Sequence, residues 1–483
     1  MTDTIGHLIG GERVAASAEW LEVHDPATGA VHARLAQADP GQVDAAVAAA
    51  QAAFPSWAAL APDQRGALLR SLADAIEARL DAFAQAESLD TGKPLALARR
   101  LDIPRAIANL RFFASAGEQF ASESHHGQAG LNYTLRQPLG AVAAISPWNL
   151  PLYLFTWKVA PALAAGNTVV GKPSEVTPLT AFMLGELTRA LGWPPGVLNI
   201  VQGRGDATGA HLVGHEGVRA ISFTGSTRVG AGIAASAAPR FRKVSLELGG
   251  KNPTIIFDDA DFDAAVDGAV RAAFSNQGQI CLCGSRILVQ RSLYPRFREA
   301  FLARVAALRT GDPLAPDSDL GAVVSQAHFS KILSCIGRAV AEGGTILAGG
   351  SPVRPAGRCA NGWFIAPTVI EGLGPACATN QEEVFGPVAT LLPFADEAEA
   401  LAIANGTRYG LACSVWTRDL ARAHGMAERL RCGLVWINTW LQRDLRTPFG
   451  GNGDSGIGRE GGLEAMRFFT DVRNVCVHWG EPR

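Results

Sequence analysis

The strongest constraint on the fold is a regular alternation of short apolar segments with longer helix-forming segments, which begins near residue 140. Five short segments have the composition and length of buried strands, and they are Ala141–Ser146, Asn167–Lys172, Val197–Gln202, Ala220–Thr224 and Val244–Leu248. The segments between them have helix-forming composition. Strand–helix alternation of this kind predicts a parallel, doubly wound α/β sheet.

A second α/β series follows the first. Its strand candidates are Thr254–Asp258, Arg286–Gln290, Val388–Pro393, Ala412–Thr417 and Leu434–Asn438, with helices predicted between them, for example over 292–308 and 419–431. The first 120 residues are predicted to be mainly helical, with one helix over 62–87 that begins at Pro62. Tyr133–Gln137 and Phe468–Val477 alternate like strands but fit neither series, and exposed strand edges of this kind are often buried between subunits.

Composition excludes several classes of protein. A chain of 483 residues with 48% hydrophobic and 18% charged residues is globular, and its formal charge of −2 favours neither nucleic acid nor an anionic membrane as a partner. No uncharged apolar run reaches the roughly 18 residues of a membrane span. The eight cysteines include no Cys-x-x-Cys pair and no histidine cluster at zinc spacing. We therefore expect reduced thiols, no bound metal, no secretory signal and a cytoplasmic location.

Polar and glycine-rich residues follow the carboxyl ends of the first five predicted strands, where open α/β sheets bind their ligands. These residues are Pro147-Trp148-Asn149, Lys172-Pro173-Ser174-Glu175, Gly203-Arg204-Gly205, Thr224-Gly225-Ser226 and Glu247-Leu248-Gly249-Gly250. Gly225–Gly230 joins a strand to a helix start, where free backbone N–H groups can hold a pyrophosphate. Gly451–Gly456 matches Gly-x-Gly-x-x-Gly but follows a loop, so we do not expect it to bind a dinucleotide. The pattern favours a cofactor-binding domain.

Three residues are candidates for covalent chemistry: Cys281, Glu247 and Asn149. A thiolate can attack an aldehyde and give a thiohemiacetal that loses hydride and becomes a thioester. An Asn amide and a backbone N–H can stabilise the oxyanion, and a carboxylate can activate the water that releases the acid. Each residue alone has a structural alternative, because a lone cysteine is usually a small buried apolar residue and a glutamate at a strand end is usually solvated.

Six motifs occur together in the order of one family. They are Pro147-Trp148-Asn149-Leu150-Pro151, Lys172-Pro173-Ser174-Glu175, Phe223-Thr224-Gly225-Ser226, Leu246-Glu247-Leu248-Gly249-Gly250-Lys251, Gly278-Gln279-Ile280-Cys281 and Glu382-Glu383-Val384-Phe385-Gly386-Pro387. The sequence resembles the NAD(P)-dependent aldehyde dehydrogenase superfamily over residues 7–475. The resemblance implies an α/β fold with a Rossmann-type cofactor domain (1–120 and 138–248), an α/β catalytic domain (249–440) and a small β oligomerisation element (121–137 and 465–483). It also implies a homodimer or homotetramer.

The resemblance implies a role for each candidate. Cys281 is the implied nucleophile, Asn149 the oxyanion donor and Glu247 the general base, whereas Cys283 is expected to be structural. Because Glu247 supplies the base for hydrolysis, an acylating enzyme that depends on coenzyme A is disfavoured. A non-catalytic NAD-binding protein of the same fold is a remote alternative, since both Cys281 and Glu247 are present.

The implied cofactor is NAD. Lys172 and Glu175 match the pair that binds the adenosine ribose, and a carboxylate at position 175 repels a 2′-phosphate. Glu383 and Phe385 match the contact with the nicotinamide ribose. The channel for the pyrophosphate and adenine is expected to be lined by Trp148, Gly225 and Ser226.

Within the superfamily, the chain resembles the 2-aminomuconate and 2-hydroxymuconate semialdehyde dehydrogenases of aromatic-ring degradation. The residues that carry this likeness are Asp102–Arg105, Cys281–Cys283 and Trp440–Gly451. The likeness implies that Arg105 and Arg443 hold a substrate carboxylate, which planar guanidinium groups bind bidentately. The alternative is a surface or interface ion pair, which we expect for Arg446. A betaine-type or broad-specificity aldehyde dehydrogenase is the alternative function, although two arginines would oppose a cationic aldehyde.

Overall fold

The structure is a computed structural model that describes residues 3–480. Residues 1–2 and 481–483, at the ends of the predicted N-terminal and tail regions, lie outside the described residues. Within the described range the chain is an α/β protein, as predicted, with helices packed on an eight-stranded and a seven-stranded sheet.

The eight-stranded sheet contains all five strands predicted in the first series. In spatial order its strands are Gly456–Ile457, Lys243–Glu247, Ala220–Thr224, Ala141–Ile145, Thr168–Lys172, Leu198–Ile200, His7–Ile9 and Glu12–Val14. The five predicted strands form its parallel centre, and the neighbouring strand on each side joins antiparallel. The parallel centre brings the polar strand ends to one edge, where ligands bind in such sheets.

The seven-stranded sheet contains the second predicted series. In spatial order its strands are Thr345–Ala348, Thr368–Glu371, Val388–Phe394, Arg286–Gln290, Pro253–Ile256, Ala412–Trp416 and Leu434–Ile437. Neighbouring strands are parallel except for the first pair, which is antiparallel. The first two strands of this order were not predicted.

A three-stranded antiparallel sheet joins the two segments that fit neither series. Its order is Thr470–His478, Gly130–Pro138 and Ser124–His126. The strand Thr470–His478 pairs along its whole length with Gly130–Pro138, and within residues 3–480 no strand pairs with its other edge. That edge therefore presents unpaired backbone groups at the surface of the chain.

The N-terminal part differs from the prediction of mainly helical structure. Strands occupy Asp3–Ile5, His7–Ile9, Glu12–Val14, Trp20–His24 and Val31–Ala36. The first three of these strands have only three residues each, which is too short to show a period-two pattern in the sequence. The helix predicted over 62–87 is in fact two helices, Pro62–Glu77 and Leu80–Thr91, because the backbone leaves the helical region at Arg79 without any Gly or Pro to mark the break.

The remaining elements cover the sheets. The other α-helices are Pro40–Ala59, Leu95–Leu97, Ile103–Glu118, Pro151–Ala164, Leu179–Ala190, Ala210–Gly214, Thr227–Ala237, Phe262–Phe274, Tyr294–Ala306, Gln326–Ala341, Ala378–Gln381, Glu397–Ala404, Leu420–Arg429 and Gly462–Phe468. Short strands are Pro352–Val353, Phe364–Ile365, Tyr409–Gly410 and Asn452–Gly453; π-helices are Ala98–Asp102 and Gly205–Gly209; 3₁₀-helices are Ala238–Arg240, Ser275–Gly278 and Gly357–Cys359. Among the described residues, no helix is both long and apolar enough to span a membrane.

One buried helix positions the edge of the eight-stranded sheet. All residues of Pro151–Ala164 are buried, and the helix packs against Ile103–Glu118 in a shared apolar core. It begins just after Asn149, which follows the strand Ala141–Ile145. The position of Asn149 is therefore set by a buried helix on one side and a central strand on the other.

Candidate functional site

Cys281 lies on a loop between the helix Phe262–Phe274 and the strand Arg286–Gln290. The loop begins with the 3₁₀ turn Ser275–Gly278, in which Asn276 and Gln277 have positive φ angles of 52° and 56°. Gly278 has a φ of +69°, and a Cβ there would lie 2.0 Å from the backbone oxygen of Gly386. The loop is therefore held closely against the segment that carries the predicted cofactor residue Phe385.

Two cavities, each of about 240 Å³, meet at Cys281. The first is mostly apolar and is also lined by Glu247, Arg105 and Arg443. The second contains Asn149 and the predicted nicotinamide and pyrophosphate residues. The predicted nucleophile therefore faces two separate chambers, with Thr224 as the other residue that lines both.

Burial controls the protonation of the predicted catalytic pair. Burial raises the pKa of the Cys281 thiol, and the nearby carboxyl groups of Glu383 and Glu247 raise it further. Burial and the neighbouring Glu460 likewise hold the pKa of Glu247 well above its usual range. Neither carboxyl oxygen of Glu247 has a hydrogen-bond partner in the described part of the chain. This carboxyl group is free to bind a water molecule or to accept a proton.

Asn149 is buried and held at both of its polar ends. Its side-chain Nδ2 donates to the backbone oxygen of Gln279 at 2.9 Å. Its backbone oxygen accepts from Lys93 Nζ at 3.0 Å and from Asn276 Nδ2 at 3.2 Å. Because an amide nitrogen carries two hydrogens, one N–H of Asn149 is left for an oxyanion in the second cavity.

A buried ion pair beside Glu247 was not found by sequence analysis. Lys158 Nζ lies 2.6 Å from Glu460 Oε1, and Ser222 Oγ donates to the same oxygen at 3.0 Å. Glu460 lines the first cavity together with Glu247. One sequence signal was available, because Lys158 is a charged residue inside the most apolar stretch of the chain.

The two residues that were predicted to bind the ribose, Lys172 and Glu175, contact each other. Lys172 Nζ donates to Glu175 Oε2 at 2.8 Å, and the Gly205 N–H donates to Glu175 Oε1 at 3.4 Å. Burial raises the pKa of Glu175, but the charge of Lys172 and its hydrogen bond outweigh burial and lower it overall. Glu175 is therefore a charged acceptor, and it lines a neighbouring cleft with Trp20 and Arg204 rather than the second cavity itself.

The other five predicted cofactor residues come together in the second cavity, and these are Trp148, Gly225, Ser226, Glu383 and Phe385. Ser226 caps the helix Thr227–Ala237, and its side chain accepts from the Val229 N–H at 3.4 Å. Glu383 Oε1 accepts from the Gly250 N–H at 3.0 Å, and burial raises the pKa of Glu383 to about 7. The Phe385 ring meets the Trp148 ring edge-on at 5.2 Å. A helix N-terminus and a buried acceptor thus face one cavity, which suits a dinucleotide.

Two arginines project into the apolar first cavity from different parts of the chain. Arg105 lies on the helix Ile103–Glu118, and Arg443 lies on the loop after the strand Leu434–Ile437. Arg443 Nη1 donates to Tyr153 Oη at 3.1 Å, and the Arg105 guanidinium lies 5.7 Å from the centre of the Tyr153 ring.

In the part of the chain that the structure describes, neither cavity arginine forms an ion pair. No carboxylate lies within 4 Å of Arg105 or Arg443 among residues 3–480, and the buried Nη2 of Arg105 has no hydrogen-bond partner there. Arg446, in contrast, is exposed and pairs with Asp444 at 2.6 Å, as predicted for a surface ion pair. No group of three or more His, Cys, Asp or Glu side chains could hold a metal ion in the described part of the chain.

The fold and the site together define an α/β enzyme in which a dinucleotide cavity and an apolar cavity meet at a cysteine. The model of the aldehyde dehydrogenase family matches residues 14–475, and the chain belongs to this family. It is an oxidoreductase that oxidises aldehydes to acids with NAD.

Relatives and solved structures match the chain over nearly its whole length. A 2-aminomuconic semialdehyde dehydrogenase from Danio rerio is 49% identical over 473 residues, which cover 97% of each chain. A 2-hydroxymuconic semialdehyde dehydrogenase from Pseudomonas sp. (strain CF600) is 46% identical over 481 residues, 98% of this chain and 99% of the relative. PnpE from Pseudomonas sp. WBC-3 is 43% identical with a TM-score of 0.95, covering 99% of this chain and 98% of PnpE. For PnpE in complex with nicotinamide adenine dinucleotide, the TM-score is 0.96 at 43% identity, covering 100% of this chain and 99% of PnpE.

Proposed function

We propose that the chain oxidises a semialdehyde with a carboxylate at its remote end, of the 2-hydroxymuconate or 2-aminomuconate type. The observation that carries this proposal is the pair of arginines in a mostly apolar cavity, with the buried Nη2 of Arg105 lacking a partner among residues 3–480. A buried N–H group without an acceptor is costly, and a substrate carboxylate would supply the acceptor to Nη2 of the half-buried Arg105. The names of the relatives support this substrate class.

In the proposed mechanism, the Cys281 thiol loses its proton to Glu247, which lines the same cavity and passes the proton on to solvent, and the sulfur adds to the aldehyde carbon. The Asn149 amide and a backbone N–H donate to the oxygen that becomes negative. The second cavity would hold NAD, which would supply the acceptor for the hydride lost from this carbon. The resulting thioester on Cys281 is hydrolysed by a water molecule whose proton Glu247 accepts. Burial makes Glu247 a stronger base than a solvated carboxylate, which suits this step.

The residues around the second cavity fit NAD. The charged carboxylate of Glu175 can accept hydrogen bonds from two ribose hydroxyls, and the helix N-terminus at Ser226 offers free backbone N–H groups to a pyrophosphate. A Cβ at Gly249 would lie 2.4 Å from Glu383 Oε2. A larger residue at position 249 would therefore displace the Glu383 carboxylate from the cavity.

The test compares 2-hydroxymuconate semialdehyde with a neutral aldehyde of similar length. We expect the double variant Arg105→Ala, Arg443→Ala to lower kcat/KM for the acidic substrate by about a hundredfold or more, because two charge-assisted contacts are lost. The neutral aldehyde should be affected far less. Arg446→Ala is the matched control, since that arginine is already paired at the surface. Wild-type preference for the neutral aldehyde, or unchanged discrimination in the double variant, would reject this substrate class.

We also propose that the chain forms a homodimer or homotetramer through the three-stranded sheet. The unpaired edge of Thr470–His478 and the exposed side chains of Val472 and Trp479 support this interface. Val472→Asp should reduce the mass in solution toward the 50.7 kDa monomer, whereas Leu420→Asp, on an exposed helix position elsewhere, should not. A wild-type monomer by light scattering would contradict the proposal.

Two further assignments belong with this proposal. The domain boundaries are those inferred from the sequence, and the eight- and seven-stranded sheets support a division near residue 249.

A cytoplasmic location is supported by the eight cysteines, all of which are free thiols. Reaction of all eight thiols with a thiol reagent in unreduced, denatured protein would be the expected result, and fewer would indicate disulfides.

A further inference from the structure

A cluster of three charged side chains lies buried behind the proposed oxyanion site. Glu87, Lys93 and Asp102 are all fully buried. The Lys93 ammonium forms an ion pair with Asp102 Oδ2 and lies 3.7 Å from Glu87 Oε1. Its third contact is the hydrogen bond of 3.0 Å to the backbone oxygen of Asn149. The ammonium group therefore donates to one carboxylate and one backbone carbonyl and has a second carboxylate, that of Glu87, as an ionic neighbour.

The Asp102 contact connects Lys93 to the arginine pair. Asp102 is the last residue of the π-helix Ala98–Asp102 and directly precedes the helix Ile103–Glu118. Arg105 follows within the first turn of that helix. Single π-helical turns are often found at functional sites, where they change the direction of the residues that follow. The ion pair to Lys93 fixes the end of this turn and thus the start of the helix that carries Arg105.

The Asn149 contact connects Lys93 to the reacting end of the site. Asn149 precedes the buried helix Pro151–Ala164, whose Leu152 N–H donates to Glu87 Oε2 at 3.4 Å. Lys93 and Asn276 together hold the Asn149 carbonyl, so the backbone from which the Asn149 amide extends is fixed from two sides. Loss of the ammonium would remove one of the two hydrogen bonds to this carbonyl and would leave two buried carboxyl groups without their cation, so the backbone of Asn149 would lose one of its two supports.

We propose that Lys93 is a positioning residue that holds the oxyanion donor Asn149 and the carboxylate-binding Arg105 at a fixed separation. The part that concerns Arg105 rests on the proposed function, whereas the part that concerns Asn149 applies to any aldehyde. Displacement of a reacting group by about 1 Å can cost about a hundredfold in rate, so a shared anchor for both ends of the substrate has a direct kinetic effect.

The test uses Lys93→Met and Asp102→Asn with the acidic semialdehyde and the neutral aldehyde. Lys93→Met should slow the pre-steady-state burst of NADH at least about tenfold with both substrates, because the oxyanion donor is displaced. Asp102→Asn keeps the lysine and its bond to Asn149, so it should raise KM for the acidic substrate and leave the burst with the neutral aldehyde nearly unchanged. This difference between the two variants separates positioning from general loss of structure.

Arg65→Met is the matched control for loss of a buried cation. Arg65 is buried and also donates to backbone oxygens, among them that of Ala164 at 3.2 Å, but it lines neither cavity. It should lower thermal stability without lowering the burst rate of the folded protein. A normal burst rate in folded Lys93→Met overturns the proposal. If Lys93→Met does not fold, the test rests on Asp102→Asn. An Asp102→Asn variant with the same ratio of KM for the acidic semialdehyde to KM for the neutral aldehyde as the wild type then overturns the role of Lys93. A wild-type enzyme that prefers the neutral aldehyde overturns the proposed substrate instead.

Discussion

Replacement of Lys158 by Met should destabilise the protein and change the pH dependence of thioester hydrolysis. Lys158 is fully buried, and its partner Glu460 is nearly so. Removal of one partner of a buried ion pair costs about 3 to 5 kcal/mol, because the remaining charge is left without compensation. The cost should fall in this range, because Ser222 is then the one remaining hydrogen-bond donor to Glu460 Oε1 among residues 3–480.

The direction in which pH changes the stability of Lys158→Met follows from the pKa of the Glu247 carboxyl group. Lys158 lowers the pKa of Glu247, so its removal raises a pKa that burial has already raised. A carboxyl group with a raised pKa in the folded state costs stability above its unfolded pKa and costs nothing below it. The destabilisation of Lys158→Met should therefore shrink as the pH falls, and the acid limb of hydrolysis should move to higher pH.

Two assays check this prediction. Chemical denaturation at neutral and acidic pH gives the change in the free energy of unfolding, and the pH profile of steady-state turnover gives the acid limb. The double variant Lys158→Met, Glu460→Gln should recover much of the lost stability, because it removes the uncompensated charge. A Lys158→Met variant as stable as the wild type at neutral pH would contradict this prediction, and so would a double variant less stable than the single one.

Three further predictions follow from the same geometry. Glu175→Gln should raise kcat/KM with NADP relative to NAD by about tenfold or more, because the charged carboxylate no longer opposes a 2′-phosphate; an unchanged cofactor ratio would contradict this. Tyr153→Phe removes the 3.1 Å hydrogen bond to Arg443. Because one hydrogen bond contributes about 0.5 to 1.5 kcal/mol, the KM for the acidic substrate should rise several-fold, with little effect on the KM for a neutral aldehyde. Gly278→Ala should prevent soluble expression, since its Cβ would lie 2.0 Å from a backbone oxygen. The control is Gly357→Ala, at a position with a φ of +70° and no atom within 4 Å of the added Cβ. It should lower the free energy of unfolding by only about 1 to 2 kcal/mol. Equal yields of the two glycine variants would show that the loop can move.

The central strands were predictable from sequence because they are buried on both faces. All five strands of the first series, from Ala141–Ile145 to Lys243–Glu247, lie within one or two residues of their predicted ends. Local composition suffices for such strands, since each is a short, mostly buried segment that contains apolar residues and is followed by polar or glycine-rich residues. Among the strands before residue 37, the three-residue strands are too short to give a local pattern, and His7–Ile9 pairs with Leu198–Ile200, far away in the chain. The structure of such short strands depends on tertiary contacts that no local pattern reports. The strands Trp20–His24 and Val31–Ala36 were missed although they pair with each other locally.

The candidate site was predictable only where a motif marks it. Cys281, Glu247 and Asn149 each stand in a motif, and the structure brings all three to the two cavities. Lys158 and Glu460 are separated by 302 positions and share no motif, so their ion pair emerges only from the fold. Lys93 was missed for a related reason, because it acts through backbone and side-chain contacts that exist only once three separate segments have packed together.

The location of Cys281 between two chambers has a consequence for inhibition and protection. A compound that fills the apolar chamber should compete with the aldehyde and leave NAD binding unaffected, whereas a nucleotide analogue should show the opposite pattern. An alkylating reagent has two routes to the sulfur, so neither ligand alone should shield the thiol completely. Full protection should need both ligands at once, and the rate of Cys281 labelling then reports the occupancy of each chamber separately.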